Sequence, residues 1–240
     1  MSPEIYLILG AISFFTSMVT AIFSVGGGMI MLASLGQFVG ASALIPLHAS
    51  VQLLNNISRV YVYKEHINFG ILKTILWASF IGSLIAIFIF QNLDEYILTL
   101  IIGCSILFLT WVPINKFIKH GLANDLICGL LAGVAGIFIG ANGPIVTAFM
   151  RLKNLSPKSL VANHGLVMVF QHSIKIILFI SVIGFSLLSY IPLIVFLGLM
   201  GYLGTKAGKG LISTIDFKLF QTVLKFLLSL LAILLILRAE

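Results

Sequence analysis

The chain has 240 residues, of which 60% are apolar and only 9% are charged. Soluble enzymes and disulfide-rich secreted domains are excluded, because neither class has so few charges over such a length. The net charge of +7 does not indicate nucleic-acid binding, since the 14 Lys and Arg are scattered between apolar segments. We therefore expect a protein that is embedded in the lipid bilayer, with no nucleic-acid partner.

Ten apolar segments predict helices along the chain. Most are long enough to approach the ~20 residues that span a bilayer, but two of them are too short. Each short segment follows a glycine break, Gly26-Gly27-Gly28 in the first case and 140–144 in the second. Each break therefore predicts a hairpin that enters the membrane, turns inside it and returns. The predicted segments are 5–25, 29–40, 43–63, 69–91, 96–114, 125–140, 144–150, 159–182, 187–208 and 217–237.

The same order of segments occurs twice, which indicates an internal repeat. A shift of 116 residues places His48 on His164 and places Arg59 on Lys175, and the glycine breaks match at a shift of 115. Corresponding loops differ in charge: the basic loop 64–73 corresponds to a neutral one near residue 184. Such a difference is expected when corresponding loops face opposite sides of a membrane, because Lys and Arg are enriched in loops on the cytoplasmic side.

The predicted fold is an all-α polytopic membrane protein with two inverted repeats. Each repeat is a glycine-broken hairpin, one long helix plus one short helix, followed by three transmembrane helices. Residues 1–115 form the first repeat, 116–123 a cytoplasmic linker and 124–240 the second repeat, together making one integral membrane domain. The loops expected in the cytoplasm are 64–73, 115–124, 151–158 and 206–218.

Polar residues lie on one face of the third predicted helix. His48, Gln52, Asn55 and Arg59 fall within ~60° of one another at 100° per residue, and the eighth predicted helix repeats this spacing from His164 to Lys175. One interpretation is a polar pathway, since cations inside a membrane usually line one. In the other interpretation, the amides and histidines form hydrogen bonds to neighbouring helices, each contributing ~1 kcal/mol of stability. The side chain of Arg59 then extends to the membrane surface.

The glycine breaks predict an anion site. A helix that begins inside the membrane leaves its first N–H groups unpaired and carries partial positive charge there. Close helix packing is an alternative role for Gly26–Gly28. A cation or a relayed proton would need a carboxylate in its path, but every carboxylate lies at the end of a segment. These carboxylates are Glu4, Glu65, Asp94, Glu95, Asp125, Asp216 and Glu240.

Three stretches together resemble the TauE/SafE family of membrane proteins, which are exporters and permeases of sulfite and organosulfur anions. They are VGGGM at 25–29, PLHASVQLLNNISRVYVYKEHINF at 46–69, and 140–185, which begins GANGPIVTAFM. The chain departs from the pattern at Ala141-Asn142, where many members have a glycine-rich motif. The resemblance implies a multi-pass carrier of the bacterial inner membrane.

The predicted function is a secondary transporter that moves a small anion, such as sulfite or an organosulfonate, by alternating access. We expect no enzymatic activity, no cofactor and no metal, and a homo-oligomer is compatible with the sequence. The alternative is a membrane redox protein that ligates haem or a metal through His48, His164 and His172. The candidate substrate-binding residues are Gly26, Gly27, Gly28, His48, Gln52, Asn55, Asn56, Arg59, Asn142, Gly143, His164, Gln171, His172 and Lys175.

Overall fold

The computed structural model describes residues 2–24, 26–113, 121–210 and 217–238. Most of the predicted linker 116–123 and part of the predicted loop 206–218 lie outside the described residues. The described residues form ten α-helices. These are α1 (Pro3–Phe23), α2 (Gly27–Leu35), α3 (Ala41–Val62), α4 (Lys73–Phe90), α5 (Glu95–Trp111), α6 (Leu122–Ile139), α7 (Gly143–Arg151), α8 (Pro157–Ser181), α9 (Ile191–Lys209) and α10 (Phe217–Leu237).

Every predicted segment is a helix, and three boundaries differ from the prediction by four residues or more. Helix α2 ends at Leu35 rather than at 40, because the chain turns through Gly36. Helix α4 begins at Lys73 rather than at 69, after a 3₁₀ turn over Phe69–Ile71. Helix α9 begins at Ile191 rather than at 187, after a second such turn. Apolar composition continues through these turns, so composition alone overestimated the helices.

Five of the helices are long and apolar enough to cross a membrane: α1, α4, α6, α8 and α9, the last together with the turn before it. Helix α3, with 22 residues, is also long enough to cross a membrane, but it is less apolar because it carries the polar stripe. Large apolar side chains such as Trp77 and Phe88 are more than half exposed on the outside of the bundle. This surface fits a hydrocarbon environment and a multi-pass membrane protein.

The chain reverses at both glycine breaks. Gly26 and Gly140 have φ of 99° and 79°, in the left-handed region that favours glycine. Gly27 then packs against the backbone of Thr16, so α2 returns along α1. After the second break, Nδ2 of Asn142 donates to the carbonyl of Ala132 at 2.6 Å, and α7 lies beside α6.

Helices from the two halves pack against each other in corresponding pairs. The most extensive contacts join α4 to α6 and α1 to α9, with glycines at both interfaces. Gly133 faces the backbone of Ser79, and Gly204 faces that of Phe14. Such small residues allow helix backbones to approach closely in lipid, where burial from water supplies no driving force.

Helices α3 and α8 cross the centre of the bundle in antiparallel directions. Gly165 lies beside Arg59, whereas His172 lies beside His48, so the residue numbers run in opposite senses along the interface. The polar faces of both helices are buried in this arrangement. The inverted relation of the complete halves remains a prediction.

The basic loops come together at one end of the bundle, which we call the basic end. Oγ of Ser159 donates to the carbonyl of His66 at 2.9 Å, and Nζ of Lys209 donates to that of Val62 at 3.3 Å. At the opposite end, Arg238 donates to the carbonyl of Gly36 at 3.2 Å, and Glu95 lies beside Gly40. The length of α3, ~33 Å at 1.5 Å per residue, separates the two ends.

Candidate functional site

A small buried cavity lies between the two glycine breaks, with α3 on one side and α8 on the other. The centre of a water-sized sphere can occupy about 30 Å³ of it, which is enough for about two waters. In this conformation the cavity therefore admits only a small ligand. The lining residues are Thr20, Ser24, Gly26, Gly28, Met29, His48, Gln52, Asn56, Arg59, Ala141, Gly143, Pro144, His164, Met168 and His172.

His48 joins α3 to the first break. Its Nε2 lies 2.9 Å from the carbonyl oxygen of Gly28, and because a carbonyl only accepts, Nε2 must carry the proton. The ring also stands edge-on to His172, with 5.9 Å between the ring centroids. His48 thus fixes the start of α2 against α3 and brings α8 into the same cluster.

His164 takes the corresponding position in the second half. Its Nε2 lies 3.6 Å from the point that a Cβ on Gly143 would occupy, so the ring faces the second break. His164 and Gly143 are the repeat partners of His48 and Gly28 in the sequence alignment. A histidine of a central helix therefore faces a glycine break in each half.

Arg59 is the cation that lines the cavity. Its side chain is 2% exposed, so the interpretation in which it extends to the membrane surface is wrong. The guanidinium donates to Oδ1 of Asn56, while Nε has no hydrogen-bond partner within the described part of the chain. No Asp or Glu is among the described lining residues. A buried guanidinium with a free donor and no countercharge favours an anionic ligand.

Lys175 is also buried, but it does not line the cavity. Its Nζ donates to the carbonyl oxygen of Gly140 at 2.9 Å, at the C-terminal end of α6. A cation at this position compensates the partial negative charge of the helix terminus. Lys175 therefore stabilises the second break without lining the cavity, whereas the side chain of Arg59 lines it.

Three predicted amides hold helices together instead of lining the cavity. Nδ2 of Asn142 donates to Oε1 of Gln171 at 2.5 Å, which ties the second break to α8. Asn55 lies beside Gly201 of α9, and its Nδ2 is 3.5 Å from Oγ of Ser13. For these residues the structure favours the helix-bonding interpretation. Gly27, packed against α1, is likewise absent from the lining.

The cavity includes Thr20 of α1 and Ser24, which directly follows α1, and the sequence had not predicted either residue. A signal was present, because Ser13, Thr16, Ser17, Thr20 and Ser24 fall on one helical face at offsets of 0, 3, 4, 7 and 11. All of them are buried. Small hydroxyl residues in an apolar helix are also typical of helix packing, so this stripe was less conspicuous than the one with histidine and arginine.

The beginning of α2 supplies backbone donors to the same cavity. The first N–H groups of a helix have no intrahelical acceptor, and Gly28 and Met29 lie on the lining. At the second break, Pro144 has no N–H, so α7 offers fewer donors there. The start of α2, hydroxyls, imidazoles and one guanidinium line the cavity, and this set of donors suits an oxyanion.

The redox alternative gains no support from the structure. No group of three or more His, Cys, Asp and Glu side chains is placed to hold a metal ion within the described residues. His48 and His172 are neighbours, but His164 faces the other break.

The fold is that of a multi-pass membrane protein, and its central cavity is polar and lined by a buried cation. The family model for the sulfite exporter TauE/SafE matches residues 9–235, and the chain belongs to this family. Its members are transporters and not enzymes, which confirms the predicted class and the suspected family. No curated protein and no solved structure matches the chain.

The different positions of the two cations predict different effects on binding. We expect Lys175→Gln to weaken sulfite binding less than Arg59→Gln, because only Arg59 lines the cavity. Lys175→Gln should instead lower the thermal stability, since it weakens the interaction with the end of α6. Calorimetric titration and thermal melting of both variants check this order, and a larger binding loss for Lys175→Gln would contradict it.

Proposed function

We propose that this transporter moves a small sulfur oxyanion, sulfite or a small sulfonate, by alternating access and binds it in the cavity between the two glycine breaks. The observation that carries the proposal is the environment of Arg59: it is buried, it lines the cavity, and no carboxylate among the described lining residues neutralises it. The bound anion would provide the missing countercharge.

The chemistry of sulfite suits this set of donors. Its negative charge is spread over three oxygens at one face of a small pyramid. Guanidinium can donate to two of these oxygens, and N–H groups at the start of α2 can reach another. The small volume of the cavity disfavours larger organic anions, and the cavity would have to widen to admit sulfite, which has four heavy atoms.

Alternating access is supported by the arrangement of the helices around the site. Each half contributes one glycine break and one central helix to the same cavity, and α3 and α8 are antiparallel. If residues 1–115 and 124–240 are inverted repeats, each half can adopt the conformation that the other half has in this structure. This exchange would open the cavity to the opposite side of the membrane. The gate in this scheme is the pair of glycine breaks.

The charge distribution predicts the orientation in the bacterial inner membrane. We expect the basic end, with Lys64, Lys153 and Lys206, in the cytoplasm and the turn at 92–94 outside. A cysteine at Asn92, in a background in which both native cysteines are replaced by alanine, should react in intact cells with a membrane-impermeant maleimide. A cysteine at Lys153 should react only after permeabilisation. The reverse pattern would contradict the orientation.

Proteoliposomes loaded with ³⁵S-sulfite, or in a parallel experiment with a ³⁵S-labelled small sulfonate, test the function itself. The wild-type protein should release the label faster than empty liposomes, and unlabelled sulfite should exchange with it across the membrane. Arg59→Gln should abolish the release, whereas Lys225→Gln, at an exposed lysine of α10 over the Trp111 ring, should not. Release at the rate of empty liposomes by folded wild-type protein, with both sulfite and small sulfonates, would refute the proposal.

A further inference from the structure

A second positively charged site lies at the basic end, apart from the central cavity. It is a cleft of about 410 Å³ between the end of α3 and the end of α9. Lysines from both elements reach it, and tyrosines form much of its wall. The residues on which the argument depends are Tyr61, Tyr63, Lys64, Tyr202, Lys206 and Lys209.

Each lysine of the cleft lies over an aromatic ring. Nζ of Lys206 is 5.4 Å from the ring centroid of Tyr202, and Nζ of Lys209 is 5.9 Å from that of Tyr63. Nζ of Lys64 lies 5.7 Å from the Tyr61 centroid. These contacts hold three ammonium groups around one opening without removing their charge.

The positive charge of the cleft is not neutralised within the described part of the chain. Glu65 is the one carboxylate in the lining, against three lysines. It makes no ion pair there, since the single salt bridge among the described residues joins Lys153 to Asp125 elsewhere on the basic end. The cleft is therefore suited to a ligand with negative charge.

The surroundings of the cleft indicate that this ligand is a lipid. Ile57 lies one turn of α3 before Tyr61, and Leu199 and Leu203 precede Lys206 on α9; all three apolar side chains are 45–59% exposed. Their spacings to Tyr61 and Lys206 place them on the same helical faces as these cleft residues, one or two turns further toward the middle of the membrane. A soluble anion would make no use of them, whereas acyl chains would cover them.

We propose that the cleft binds the phosphodiester headgroup of an anionic phospholipid whose acyl chains lie along α3 and α9. Lys206 and Lys209 on α9 and Lys64 after α3 contact the phosphate, and the tyrosine hydroxyls lie at headgroup depth, where tyrosine is enriched. Basic pockets between membrane helices recognise lipid headgroups in this way. The site does not depend on the identity of the transported anion.

Native mass spectrometry of the full chain in detergent tests the proposal with phosphatidylglycerol as the probe and phosphatidylcholine as the neutral comparison. Wild-type protein should retain phosphatidylglycerol preferentially. Replacing both Lys206 and Lys209 by glutamine should weaken that binding about 30-fold, since each basic residue contributes ~1 kcal/mol near an anionic lipid. Replacing both by arginine should preserve it.

The matched control replaces Lys158 and Lys225 by glutamine, which removes the same charge at exposed positions outside the cleft. This control should bind phosphatidylglycerol as the wild type does. Equal lipid binding by the glutamine variant and the wild type, or an equal loss in the control, would overturn the proposal. Thermal stabilisation by inorganic phosphate or sulfite alone that depends on Lys206 and Lys209 would also overturn it, because the cleft would then be a site for free anions.

Discussion

Replacing Arg59 by glutamine is expected to weaken sulfite binding at least ~30-fold, the lower end of the loss seen when one partner of a buried charge pair is removed. The expected loss is large because the guanidinium is buried and lines the cavity, and its Nε has no other partner within the described residues. Calorimetric titration of purified protein with sulfite measures the effect.

Two controls separate loss of charge from loss of fold. Arg59→Lys should fall between the wild type and Arg59→Gln, since ammonium keeps the charge but lacks the planar fork. Lys225→Gln should bind as the wild type does. The melting temperature of Arg59→Gln without ligand should not fall markedly, because removing a buried cation that has no carboxylate partner relieves its desolvation. Unchanged sulfite affinity in folded Arg59→Gln would show that Arg59 only positions α3.

Replacing Gly27 by alanine is expected to disrupt the first hairpin, whereas the same change at the adjacent Gly28 should be tolerated. A Cβ on Gly27 would overlap the carbonyl oxygen of Thr16, which belongs to the backbone of α1 and cannot rotate away. A Cβ on Gly28 would meet only Oε1 of Gln52, at an ordinary 3.8 Å. The two glycines thus differ in what surrounds them, although they are neighbours in the sequence.

The expected size of the Gly27→Ala effect is that of a strongly overpacked site, about 2–3 kcal/mol, which lowers the melting temperature by about 5–10 °C in a chain of this size. Gly28→Ala should melt close to the wild type but bind sulfite more weakly, because its methyl group would enter the cavity lining. Thermal melting in detergent measures the difference. Equal melting temperatures for the two variants would contradict the close packing of α2 on α1.

The fold was largely predictable because its signals are local. Apolar segments predicted all ten helices of the described residues, and glycine breaks before the two short segments predicted where the chain reverses. Two of the three boundary errors arose at Phe69–Ile71 and Leu188–Tyr190, where apolar residues continue through a turn. Composition cannot separate a turn from a helix there, because both turns adjoin the membrane.

The site was predictable only in part, because periodicity gives the polar face of a helix but not the element that this face meets. Asn55 lies on the predicted stripe, yet it contacts α9, while the neighbouring Asn56 lines the cavity. Lys175 matches Arg59 in the repeat, yet its Nζ donates to the carbonyl oxygen of Gly140 at the second break. These differences are set by contacts between residues far apart in the chain, such as Asn55 with Ser13, which no local pattern contains.

The central claim is that an oxyanion binds between the two glycine breaks beside Arg59. A crystal structure with bound selenite tests it most directly, since selenite has the shape and charge of sulfite and selenium gives an anomalous signal. We expect an anomalous peak inside the cavity, within hydrogen-bond reach of Arg59 and of the backbone at Gly28, and no peak there in Arg59→Gln crystals. A selenium peak that lies outside the cavity, or that persists there in Arg59→Gln, would contradict the account.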